Sequence, residues 1–122
     1  MSDERPSDLS DAPEVPVPNM AGRIAREQPE VWKAFQKLGQ ATSDAGPLDE
    51  RTKRLVNLAL AIGADSEGAT HSHVRRALSE GLSRDEVEHV AYLAITTLGW
   101  PRAARGLAWI RDVTEAERRN RR

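Results

Sequence analysis

The sequence contains no cysteine among its 122 residues. This absence excludes disulfide bonds and thiolate metal sites, and it excludes every mechanism that uses a thiol as nucleophile or redox centre. Aromatic side chains are also scarce, at 4% of the chain. Contacts between helices must therefore rely on Ala, Leu, Ile and Val rather than on large rings.

No apolar stretch approaches the roughly 20 residues that a membrane-spanning helix requires. The start of the chain also lacks the basic residues and the apolar stretch of a signal peptide. Because 18 Lys and Arg stand against 19 Asp and Glu, the overall charge does not favour a nucleic acid or a membrane surface as a partner. These features predict a cytoplasmic protein with neither kind of partner.

The chain divides into three segments of different composition. Residues 1–19 carry five acidic residues, four prolines and one arginine, which is typical of a disordered or loosely docked arm. Residues 20–114 form one predicted helical domain, whose length suits a single hydrophobic core. Residues 115–122 form an Arg-rich tail, which is either a solvated helix end or a basic tail for nucleic acid. The acidic arm would compete for this tail, so we expect no nucleic-acid partner.

Start and stop signals predict an all-α fold of about five to six helices, and no stretch alternates like a half-buried strand. The start signals, in chain order, are Pro29, Asp49, Asp65 or Ser66, the capping box of Ser83 with Glu86, and Pro101. The end signals are Gly63 for the helix that Asp49 caps, Gly81 for the next helix, and Gly99 for the helix that follows the capping box.

Two of the predicted helices, around residues 55–62 and 87–98, are apolar on nearly all sides. A chain this short cannot easily surround both of them with its own polar faces. Burial against another copy of the chain is the natural remedy. We therefore expect an obligate homo-oligomer.

Glu67 and His71 are four residues apart on the third predicted helix, close to its core-facing stripe. A carboxylate beside an imidazole orients the ring and raises its proton affinity, which suits general acid/base catalysis. An ordinary surface ion pair or a hydrogen-bonded boundary histidine has the same pattern. Because His71 and His73 point about 200° apart on a helix, we predict that these residues do not form a metal site with Glu67.

His73 lies on the flank of the same stripe, in line with Ser66, Ala69 and Ala77. A histidine beside small residues leaves room for a ligand, and a boundary histidine with satisfied hydrogen bonds is the alternative. Asn57 interrupts the apolar second helix. A buried amide needs a partner, so Asn57 either pairs across an interface or faces a pocket.

Residues 48–110 resemble the carboxymuconolactone decarboxylase and alkylhydroperoxidase D family. The resemblance rests on an Arg-rich start to an apolar helix, on His73 in the next helix, and on the features that follow it: Ala77, Leu78, Gly81, the Ser83-x-x-Glu86-Val87 box and Gly99-x-Pro101. It implies an all-helical fold. It also implies a ring-shaped assembly, either a homotrimer or a homohexamer made of two trimers.

In the peroxidase branch of this family, a Cys-x-x-Cys pair precedes the matching histidine. Those two positions are Ser66 and Ala69 in this sequence. The family glutamate that assists the thiols has Arg54 as its nearest equivalent. The resemblance therefore supports the fold and excludes a disulfide-cycling peroxidase.

The decarboxylase branch is similar in lacking the cysteine pair, and it uses neither a metal nor an organic cofactor. The resemblance thus implies a cofactor-independent lyase that acts on a small carboxylated lactone or carbonyl compound, with His73 as the acid/base group. The candidate residues are His73, His71 and Glu67 for catalysis, and Arg54, Asn57 and Ser66 for substrate binding. The alternative is a non-catalytic oligomeric scaffold or accessory protein with a degenerate site.

Overall fold

The computed structural model describes residues 19–121, and among these it contains α-helices and no strand. The helices are α1 (Asn19–Glu27), α2 (Pro29–Ser43), α3 (Glu50–Gly63), α4 (Glu67–Ser79), α5 (Arg84–Leu98) and α6 (Trp100–Asn120). This confirms the all-α class and the predicted number of helices. Most of the predicted acidic arm, residues 1–18, lies outside the described residues, as does Arg122.

The chain forms two compact units, which meet in sequence between Pro47 and Leu48. The first unit contains α1 and α2, which are joined by Gln28. Pro29 occupies the first turn of α2, as predicted, where a missing N–H has no helical partner to lose. In the described structure α2 buries none of its side chains. Its apolar residues therefore remain available for contacts outside this unit.

The second unit contains α3 to α6, and its core is drawn from all four helices. Leu58, Val74, Val87 and Ile110 each supply a fully buried side chain, one from each helix in turn. Burying such a side chain contributes about 1.5–3 kcal/mol relative to leaving it exposed. The buried residues of this core are all aliphatic, in agreement with the scarcity of aromatic residues in the sequence.

A glycine allows α3 and α6 to approach each other closely. A Cβ atom added at Gly106 would lie 2.7 Å from Cγ2 of Ile62, well inside van der Waals contact. Ile62 is fully buried, so its side chain has little space into which it can move. Gly106 is therefore required for these two helices to pack at the observed distance.

Local hydrogen bonds confirm the predicted helix starts. Asp49 Oδ1 accepts the backbone N–H three residues ahead at 2.8 Å. Ser66 Oγ does the same at 3.1 Å, so Ser66 rather than Asp65 caps α4. Ser83 and Glu86 form the predicted capping box at the start of α5. These bonds satisfy backbone donors that the first turn of a helix leaves without partners.

Two glycines follow helix ends in a backbone conformation that other residues adopt only with strain. Gly81 has φ +97° and Gly99 has φ +95°. Gly99 alone connects α5 to α6, so the chain reverses within a very short connection.

None of the described helices is both long enough and apolar enough to span a bilayer.

Candidate active site

Helix α4 carries most of the candidate residues, and the structure separates them into two groups. Its core-facing stripe of Thr70, Val74 and Ala77 is buried, as the sequence predicts. His71 and His73 lie on opposite sides of this stripe. His73 contacts a side chain of α3, whereas His71 contacts a side chain of α6.

The first group, which we call the His73 cluster, consists of Arg54, His73 and Glu80. Arg54 donates from Nε to Oε1 of Glu80 at 3.0 Å and from Nη2 to Oε2 at 2.8 Å. This paired arrangement fixes the plane of the guanidinium group. The Arg54 side chain is only 15% exposed, so the charged contact is partly shielded from solvent.

The same guanidinium group also reaches His73. Its Nη1 atom lies 2.8 Å from Nδ1 of His73. Arginine has donors and no acceptor, so Nδ1 must accept this hydrogen bond. The proton of the neutral ring is therefore on Nε2, and His73 presents an N–H group on the side away from Arg54.

The surroundings of His73 keep its ring uncharged. Burial lowers the pKa of His73 most strongly, and the positive charges of Arg54 and Arg76 lower it further, to about 4. Glu80 opposes these effects, while hydrogen bonding from Arg54 holds the pKa of Glu80 itself below the usual value. At neutral pH an uncharged imidazole with a fixed N–H suits hydrogen bonding to a developing oxyanion.

The second group, the His71 cluster, consists of Glu67, His71 and Asp112. Nε2 of His71 lies 2.9 Å from Oδ2 of Asp112, and the three residues bring ligand atoms within 4.8 Å of one another. Glu67 and His71 thus lie near each other, as their spacing predicts. One imidazole and two carboxylates are donors that a divalent transition metal accepts, but both carboxylates are exposed, as acidic groups without an ion commonly are. The absence of a metal cofactor stays a prediction.

The remaining candidates, Ser66 and Asn57, have different surroundings. The hydroxyl oxygen of Ser66 accepts a backbone N–H in the cap of α4, so a ligand would share it with the helix. Asn57 is exposed on α3. Its amide is therefore open to a substrate or to another copy of the chain.

Glu80 and Asp112 belong to these clusters but are absent from the residues that the sequence analysis singled out. Glu80 follows His73 by seven residues, and helical periodicity places both on one edge, which is a usable signal. Asp112 is 41 residues from His71. No local spacing indicates that contact, because it arises from the packing of α6 on α4.

A separate apolar pocket lies between α5 and α6, and neither His71 nor His73 is part of its wall. It is lined by Ala91, Tyr92, Ile95, Trp100, Ala103, Ala104 and Leu107. These side chains can bury an apolar group, but they include no charged group that would orient a carboxylate. The two histidine clusters therefore remain the candidate site for chemistry.

Comparison with known proteins identifies the family. The model of the Carboxymuconolactone decarboxylase family matches residues 29–112, which is more than half of the chain. The match begins at the first residue of α2 and includes both histidine clusters. The chain therefore belongs to the carboxymuconolactone decarboxylase family, as the resemblance of residues 48–110 predicted.

Solved structures confirm the fold. A carboxymuconolactone decarboxylase family protein from Legionella pneumophila aligns with a TM-score of 0.68 and 24% identity, covering 80% of this chain and 87% of that chain. A protein from Thermotoga maritima aligns with a TM-score of 0.63 and 22% identity, covering 83% of this chain and 91% of that chain. At these identities, the likeness establishes the helical fold and says nothing about substrate.

A curated relative was also found by sequence. An uncharacterized protein from Haemophilus influenzae is 31% identical over 56 residues, which are 46% of this chain and 50% of that protein. This chain thus spans about half the length of the relative. The match supports a shared segment and carries no information on activity.

Proposed function

We propose that the chain is a cofactor-independent lyase that removes the carboxyl group of a small carboxylated lactone or carbonyl compound. Membership of the carboxymuconolactone decarboxylase family supports this proposal. The observation that carries it is the fixed, uncharged ring of His73, held by Arg54. A preorganised N–H in a partly buried position stabilises negative charge that develops on a substrate oxygen.

Loss of CO2 leaves an electron pair on the substrate carbon, and a conjugated carbonyl group takes up this pair as an enolate oxygen. In the proposed reaction, Nε2–H of His73 donates a hydrogen bond to that oxygen. A donor of this kind contributes about 10²–10³ in rate. The guanidinium group of Arg54 has N–H groups besides the three that contact Glu80 and His73, so it can also bind a substrate carboxylate.

The substrate carbon must then receive a proton, and we assign this step to His71, whose ring contacts Asp112 and has Glu67 nearby. Because His71 and His73 lie on opposite sides of α4, one small substrate cannot contact both rings of a single chain. The proposed site therefore lies between copies of the chain, with one histidine from each. Asn57 and Ser66 are the proposed polar contacts of the substrate.

Replacing His73 tests the proposed lyase. Purified protein is incubated with a panel of carboxylated lactones, and the release of CO2 is measured. We expect His73→Ala to lower kcat by about 10²–10³-fold, with helical content and oligomer mass unchanged. His89→Ala on α5 is the matched control, because His89 is exposed and belongs to neither cluster. Unfolding or dissociation of His73→Ala would instead show that His73 is structural.

A non-catalytic oligomeric scaffold is the second candidate function. The exposed apolar side chains of α2 favour it, since Val31, Phe35 and Leu38 are each more than half exposed. Such a surface suits assembly whether or not the chain catalyses a reaction. A stable oligomer that releases no CO2 from any lactone of the panel would favour the scaffold over the lyase.

A further inference from the structure

Glu80 lies just beyond the end of α4, and both its main chain and its side chain are hydrogen-bonded. Its backbone N–H donates to the carbonyl oxygens of Arg76 at 2.9 Å and Ala77 at 3.2 Å, so its main chain is fixed by the last turn of the helix. Its side chain accepts two N–H groups from Arg54, which is 26 residues earlier in the sequence. Glu80 is thus a fixed anchor for a side chain of another helix.

This anchor determines where the rest of the guanidinium group points. Nε and Nη2 of Arg54 are engaged by Glu80, and Nη1 on the remaining edge meets Nδ1 of His73. A guanidinium group is planar, and the directions of its donors are fixed relative to one another. Without the carboxylate, Arg54 would keep its charge but regain the rotational freedom of a long side chain.

We propose that Glu80 is a positioning residue that acts through Arg54 to hold His73 as the Nε2–H tautomer. This tautomer selects substrates that present an acceptor oxygen to the ring, such as an enolate or carbonyl oxygen. In the opposite tautomer, Nδ1–H would face an N–H of Arg54, and two donors would oppose each other. The use of this tautomer in catalysis rests on the proposed function, whereas the presence of the tautomer in the folded chain is independent of that function.

The charged groups around His73 determine whether its ring is protonated. The hydrogen bond from Arg54 determines which nitrogen of the neutral ring carries the proton. Arg54 from α3, Arg76 from α4 and Glu80 after α4 are the charged groups that act on the ring. Two cations against one carboxylate disfavour the protonated imidazole. The neutral ring then has two tautomers, and the contact with Arg54 favours the one in which Nδ1 carries no proton.

Imidazole ¹⁵N spectra of the labelled full chain measure the tautomer directly. For the wild type near neutral pH, we expect a bare Nδ1 and a protonated Nε2 at His73. Glu80→Gln keeps the size of the side chain and removes its charge, so both tautomers should appear. Glu80→Asp keeps the charge but withdraws the oxygens by one methylene, and it should give a similar mixture. Glu67→Gln, on the other side of α4, is the control and should leave the His73 signals unchanged.

Retention of the single Nε2–H tautomer in both Glu80 variants would overturn the positioning role. An Nδ1–H tautomer in the wild type would overturn the contact on which that role depends. Neither result requires turnover, so failure of the lyase assay is distinguishable from failure of this inference. If the chain releases CO2 from a lactone, Glu80→Gln should lower kcat/KM by about tenfold, because Arg54, which orients His73 and can bind the substrate carboxylate, is no longer held in place.

Discussion

Among the described residues, Glu88 on α5 is the one charged side chain that is buried, at 7% exposure. It accepts hydrogen bonds from Nε of Arg84 at 3.0 Å and from Nη2 of Arg111 at 3.4 Å. Burial raises the pKa of Glu88, but the hydrogen bonds and charges of the two arginines outweigh burial, and the pKa lies below 4.5. The folded protein therefore favours the ionised carboxylate.

Removing this charge should destabilise the protein at neutral pH and matter less in acid. Because folding lowers the pKa of Glu88, its carboxylate contributes stability above the ordinary value of 4.5, and this stability is lost as the pH falls through the folded-state value. We expect Glu88→Gln to reduce the free energy of unfolding by about 1–3 kcal/mol at neutral pH. Urea denaturation at neutral pH and at about pH 3 measures the free energy of unfolding of the variant and of the wild type. The difference between these two free energies should be smaller at the acidic pH.

Glu50→Gln is the control for this measurement. Glu50 pairs with Lys53 at the surface and its side chain is 88% exposed, so its loss should change stability by less than about 1 kcal/mol. If Glu88→Gln lost as much stability in acid as at neutral pH, Glu88 would be acting through packing rather than through its charge.

At the scale of helices, the starts were predictable because capping groups are neighbours in the chain. Ser83 and Glu86 satisfy each other's backbone N–H groups within three residues. The contacts of the candidate site have no comparable pair of neighbouring residues in the sequence that would predict them. Arg54 and Glu80 are 26 residues apart, and His71 is 41 residues from its partner. These contacts depend on how α3 and α6 pack on α4, which the apolar pattern of a single helix does not determine.

The close approach of α3 and α6 gives a prediction at this scale. Replacing a glycine inside a helix by alanine ordinarily stabilises the helix by about 0.5–1 kcal/mol. At Gly106 the added Cβ would meet buried Ile62, and overpacking of this kind costs about 1–3 kcal/mol. We expect Gly106→Ala to lower the midpoint of thermal unfolding measured by circular dichroism.

Gly39→Ala on α2 is the matched control, since a Cβ there would meet nothing within 4 Å. It should preserve or raise helical stability. A rise in thermal stability for Gly106→Ala as well would contradict the tight contact between α3 and α6.

At the scale of the whole molecule, apolar side chains are exposed on both units. Phe35 in the first unit is 62% exposed and Leu60 in the second is 63% exposed. Twelve large hydrophobic side chains of the described residues are exposed in this way. Large apolar side chains left on a surface favour association with another copy of the chain.

We therefore predict that sedimentation velocity detects a homo-oligomer, with the mass of a trimer or a hexamer. Phe35→Glu and Leu60→Glu should each shift the protein to lower mass, because burying an unpaired carboxylate costs several kcal/mol. Lys37→Glu introduces the same side chain on the polar side of α2, where the residue is exposed, and should leave the mass unchanged. A wild-type monomer at micromolar concentration would contradict this prediction.

The cap at Ser66 bears on how readily such a chain could gain thiol chemistry. The resemblance places Ser66 where the peroxidase branch has its first cysteine, and the Ser66 oxygen accepts the N–H of Ala69 at the start of α4. A thiol is a weak acceptor, so a cysteine there would cost about 1 kcal/mol of helix stability. The resemblance places the second cysteine of that branch at position 69, so a cysteine at position 66 alone would lower the stability of α4 without supplying the pair.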